Sequence, residues 1–126
     1  MNSSSSAAVS NSVNKDHRTL HLTPLEVWQR QEQQTGYQPE AFDSDGFIHC
    51  TDDANELMNA GNRYYQTDCR EYVALTISCD RLTVPVIYVD PDRRFPHIHG
   101  ALNVSAVERV QRVLRTAAGN FVALER

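Results

Sequence analysis

The spacing of apolar residues changes once along this chain, and that change limits the folds open to it. In the first half, apolar side chains recur every three or four positions. Leu25 and Trp28 share one face, as do Ala54, Leu57, Met58, Gly61, Tyr64 and Tyr65. From "EYVALTIS" onward the apolar residues alternate or cluster in short valine- and isoleucine-rich runs, at 71–78, 85–89, about 105–114 and 120–124. Helices first and strands afterwards predict an α+β fold with an antiparallel sheet rather than an alternating α/β fold. The run "SAVERVQRVL" also fits a helix on pattern alone.

Local signals place the boundaries. "RTLHL", 18–22, reads as a first strand. "TPLE" reads as a helix start, with Thr23 as N-cap, Pro24 at the first helical position and Glu26 closing a capping box. That helix is expected to run to about Gln34 and stop at Gly36. "YQPEAFDSDG" reads as loop, "FIHCT" as a short strand, and Asp53 with Glu56 as the cap of a second helix. Residues 1–17 open with "MNSSSSAAVSNSVNKD", which carries almost no large apolar side chains to offset ordering entropy. They are expected to form a disordered tail, leaving 18–126 as a single domain.

Composition narrows the function. A formal net charge of −4 argues against a surface built to hold bulk nucleic acid, which needs clustered positive charge. No run approaches the roughly 18 apolar residues of a membrane helix. Three cysteines without CxxC spacing argue against a disulfide framework and for a reducing, cytoplasmic location. The common nucleotide-loop and serine-hydrolase signatures, GxGxxG, GxxxxGK[ST] and GxSxG, are absent.

Chemistry concentrates in "SDGFIHCT" and "RRFPHIHGAL". His21 lies on the first strand, where it either packs with a backbone partner or contacts a ligand. By strand alternation His49 shares a face with Phe47, just after Gly46; this suits a ligand ring that stacks on one and hydrogen-bonds to the other. Cys50 reads as a buried small hydrophobe, since no adjacent cation lowers its pKa. His97 and His99 stand two apart, a spacing that on a strand also suits metal ligation, with His21 or His49 as a third ligand. The aspartates around the first stretch, Asp43, Asp45, Asp52 and Asp53, read as turn and helix-start residues.

The stretches "HLTPLEVW", "DGFIHCT", "NRYY", "EYVALTI" and "FPHIHGALNVSAV" together resemble the family catalogued as domain of unknown function 952, over residues 20 to about 124. That family is similar to the ADP-ribosyltransferase fold, particularly its RNA 2′-phosphotransferase branch. The resemblance implies a split antiparallel β-sheet core with NAD in the cleft between the half-sheets. It implies site roles for His21, at the nicotinamide ribose, for His49 and for His97; Thr23 and Phe47 are read beside them as further cofactor-binding residues. Arg63 or Arg94 would suit the pyrophosphate as bidentate partner. Two departures stand out: His99 occupies a position where relatives usually carry tyrosine, and Val89 and Asp90 stand where relatives commonly carry glutamate. The expectation is a protein that binds NAD or another nucleotide, with ADP-ribosyl or related glycosyl transfer as its candidate activity. The alternatives are a non-catalytic nucleotide-binding module and a metal-dependent enzyme using the histidine cluster.

Overall fold

The structure is a computed structural model of the 126-residue chain, described here for residues 17–88 and 95–126. The expected tail, apart from His17, lies outside the described residues, as do Val89, Asp90, Arg93 and Arg94.

The fold is α+β, a curled antiparallel arrangement with few helices. Its main sheet has four strands: β1 (Arg18–Pro24), β4 (Tyr72–Ser78), β8 (Val107–Arg115) and β9 (Phe121–Leu124), in the order β9-β8-β4-β1. A three-stranded sheet, in the order β3-β6-β5, contains β3 (Ile48–His49), β5 (Val86–Tyr88) and β6 (Pro96–Ile98). A two-stranded ribbon pairs β2 (Gly36–Tyr37) with β7 (Leu102–Asn103). The two larger sheets meet where Leu20 and Thr51 exchange backbone hydrogen bonds of 2.8 and 2.9 Å.

Register decides what each face of the main sheet covers. Thr19, His21 and Thr23 of β1 stand beside Ile77, Leu75 and Val73 of β4. That face buries Tyr37, Ile48, Ile98 and Leu102 from the smaller sheets, with Val27 and Trp28. The opposite face carries Leu22, Tyr72, Ala74, Val113 and Phe121 against Leu57 and Met58 of α3 (Ala54–Tyr64). Each such buried aliphatic side chain contributes about 1.5–3 kcal/mol relative to exposure.

The first helix departs from expectation. β1 continues through Thr23 and Pro24, and α1 (Leu25–Gln29) has only five residues, with no side-chain cap. Pairing with Val73 and Tyr72 holds Thr23 and Pro24 extended, so ladder formation overrides the capping pattern at Thr23. Gly36 is a strand residue, not a helix stop. A four-residue helix, α2 (Phe42–Asp45), occupies part of the expected loop and ends at Gly46, whose φ of 78° is left-handed. The run with two readings, "SAVERVQRVL", forms a short 3-10 turn and then β8, paired with β4 on one side and β9 on the other. Cys50, Cys69 and Cys79 are free thiols. No described helix is long and apolar enough to cross a membrane.

Candidate functional site

The three-stranded sheet has one buried face and one open face. Ile48 pairs with Ile98, and both are 0% exposed. One residue along, the side chains turn outward, and Ile87, His97 and His49 stand side by side across β5, β6 and β3. The left-handed turn at Gly46 brings Phe47 onto the same open face. Its ring stacks on His97 at 3.9 Å with an interplanar angle of 13°. His49 lies 4.6 Å from that ring and His99 5.5 Å, both tilted. The His49 side chain is 63% exposed, and its Nε2 lies 3.0 Å from Asp45 Oδ2.

The histidines therefore surround a phenyl ring rather than a common centre. Centroids of His49 and His97 are 5.4 Å apart, those of His97 and His99 6.4 Å, with Phe47 in contact with all three. Among the described residues no group of three His, Cys, Asp or Glu side chains could hold a metal ion. The metal-dependent alternative thus has no ligand set among them.

His21 is placed differently. It is buried on the inner face of β1, and its Nδ1 lies 2.7 Å from the His49 carbonyl oxygen. A carbonyl only accepts, so Nδ1 carries the proton and donates. Nε2 is then the acceptor for the Tyr37 hydroxyl, 2.9 Å away. Burial lowers the His21 pKa to about 4, so the ring is neutral at physiological pH. Tyr37 is itself fully buried, with its pKa pushed up chiefly by desolvation. The Thr23 hydroxyl is buried beside the Tyr37 phenol, and the Thr19 hydroxyl is buried on the same face.

His49 and His97 are thus direct cross-strand neighbours on one face, because the β3–β6 register pairs them. Phe47 joins them. His21 meets this group through the main chain of His49, from the other side of the strand. Arg63 lies in the last turn of α3, over the Tyr64 ring at 5.9 Å, on the helix that covers the opposite face of the main sheet from His21. Arg94 lies outside the described residues. Cys50 is buried, and desolvation holds its thiol well above the usual range, as its apolar setting predicts.

Sequence reasoning missed Asp45, Ile87 and Tyr37 as members or supports of this site. The offset of four between Asp45 and His49 was visible, but only the turn at Gly46 makes it a contact. A groove of about 700 Å³ lies elsewhere, between the α3–β4 connection and the β8–β9 hairpin, and contains none of these residues. Arg115 in its wall is bound to the carbonyls of Tyr65, Gln66, Arg70 and Gly119, so its guanidinium serves as a staple.

Residues 22–110 match the family described as "Protein of unknown function (DUF952)". The chain belongs to that family. Two crystal structures of protein CC0527 from Caulobacter crescentus, one of them of a double mutant, are similar to this DUF952 member with a TM-score of 0.68. They are 18% and 19% identical and cover 83% of this chain and 93% of theirs. A solution NMR structure of CC0527 gives a TM-score of 0.65 at 20% identity, covering 82% and 90%. At such identities the likeness concerns the fold alone. No curated protein matches the chain.

Proposed function

We propose that this DUF952 protein binds a nucleotide, NAD or a close relative, on the open face formed by Phe47, His49 and His97, within an ADP-ribosyltransferase-like fold. The observation that carries the reading is the Phe47–His97 stack, flanked by His49 and His99 on an exposed sheet face. Aromatic and imidazole rings gathered in this way suit a planar heteroaromatic ligand, which gains apolar contact on a ring face and hydrogen bonds at its edge. His49 supplies the edge, and the neighbouring Asp45 carboxylate supplies an acceptor for an N–H or ribose hydroxyl.

ADP-ribosyl transfer is the activity that the family resemblance adds. Breaking the bond between nicotinamide and C1′ of the ribose develops positive charge on the sugar; nicotinamide leaves with the bonding pair, and an acceptor phosphate, or a hydroxyl that releases its proton, bonds to C1′. A binding module without turnover is the second reading, favoured by Val89 and Asp90, which stand where relatives commonly carry glutamate.

Isothermal titration with NAD tests the proposal. The wild type is expected to bind saturably, and Phe47→Ala and His97→Ala to weaken binding at least about tenfold, or about 1.4 kcal/mol. The same titration on Arg63→Ala and Arg94→Ala tests the pyrophosphate roles. A flat wild-type titration ends the NAD reading. Nicotinamide release by the bound complex then separates transferase from module.

A further inference from the structure

We infer that Tyr37 and His21 are positioning residues for the Phe47–His49–His97 face, acting through the main chain of His49 rather than by touching a ligand. The inference rests on the preceding reading of that face as the ligand site. Both ring nitrogens of His21 are engaged by protein: Nε2 accepts from the Tyr37 hydroxyl at 2.9 Å and Nδ1 donates to the His49 carbonyl at 2.7 Å. The relay is directional. A Tyr37 hydroxyl donating to Nε2 leaves Nδ1 as the protonated nitrogen, the one tautomer of a neutral ring that can hold a carbonyl.

Tyr37 is fixed in turn. β2 pairs it with Leu102, its ring lies 5.8 Å from Trp28 and 5.5 Å from His21, and it is fully buried. The held carbonyl belongs to the residue whose side chain stands 4.6 Å from Phe47 on the far side of the strand. β3 is only two residues long, so its ladder to β6 alone gives Phe47 and His49 little support. The relay adds an attachment from β1.

Long-range proton–nitrogen NMR on the ligand-free protein reads the relay directly. In the wild type His21 is expected to show a protonated Nδ1 and an unprotonated Nε2. In Tyr37→Phe, which keeps the buried ring, Nδ1 keeps the proton that the His49 carbonyl accepts while Nε2 loses its donor, so the imidazole is no longer braced: cross-relaxation between Phe47 and His97 weakens, and amide exchange at Ile48–Cys50 accelerates at least about tenfold. A protonated Nε2 in the wild type overturns the inference. So does a Tyr37→Phe variant that keeps both the Phe47–His97 contact and the amide protection.

NAD titration of the same variant supplies the second arm. Binding about tenfold weaker than wild type supports positioning; unchanged binding overturns it. Tighter binding also overturns it, because it means the freed Nε2 meets the ligand. If the wild type takes no NAD, the proposed function fails and the NMR arm still decides the relay.

Discussion

His21 is a histidine that the fold keeps uncharged. Its pKa falls from 6.5 to about 4 because burial penalises the imidazolium more than the His49 carbonyl favours it. The unfolded chain therefore binds a proton at a higher pH than the folded one. Stability from this group is unaffected above about pH 7 and is lost as pH falls from 6.5 towards 4, in total by roughly 3 kcal/mol. Urea unfolding at pH 7 and pH 4.5 measures it, and His21→Gln is expected to show a correspondingly shallower pH dependence than the wild type. Sequence made His21 conspicuous as a polar residue between two leucines but left packing and ligand contact open. Both ring partners come from distant segments, Tyr37 and His49, and no local spacing announces such a meeting.

Close packing between elements inverts an ordinary helix rule. Gly61 lies inside α3, where alanine normally adds up to about 1 kcal/mol. A Cβ at Gly61 would stand 2.6 Å from the Phe121 ring of β9, inside any permitted contact. Gly61→Ala is therefore expected to destabilise by about 1–3 kcal/mol, read as a lower thermal midpoint, and Phe121→Leu in the same chain to recover part of the loss. α3 itself was legible: its apolar spacing is real and Asp53 caps Asn55, although Glu56 holds Asn59 instead of closing the box. α1 was not legible beyond its existence, because pairing along β1 claims the residues whose pattern suggests a cap. The two-residue strands β2, β3 and β7 were hardest to read, since so short a run has no period of its own.

At the scale of the whole molecule, Arg70 ties the first helix to the main sheet. Its guanidinium reaches Asp68 at 2.7 Å, Glu40 at 3.0 Å and Glu26 of α1 at 3.3 Å, while Asp68 also accepts from the Tyr72 hydroxyl. Arg70 is the main reason the Asp68 carboxyl sits below the usual range. Arg70→Ala leaves three carboxylates facing one another and is expected to cost about 1–2 kcal/mol at low ionic strength, less in 1 M salt, since these groups are partly exposed. Equilibrium denaturation at the two salt concentrations checks it. The class, α+β with an antiparallel sheet, followed from where the apolar period changes. The layering did not, because it depends on which face of β1 meets β4 and on a register that no local pattern states.

The Leu20–Thr51 exchange has a mechanical consequence. Two backbone hydrogen bonds at one point join the larger sheets, where a ladder would clamp them along a line, and the shared core of Ile48, Ile98, Val73, Leu75 and Ile77 fills the space between them. The His21–His49 bond crosses from β1 to β3 beside that point, and Tyr37 braces His21 from β2. Swinging one sheet against the other would therefore load this side-chain bond and the packed core, which lie between the sheets, rather than the ladders within them.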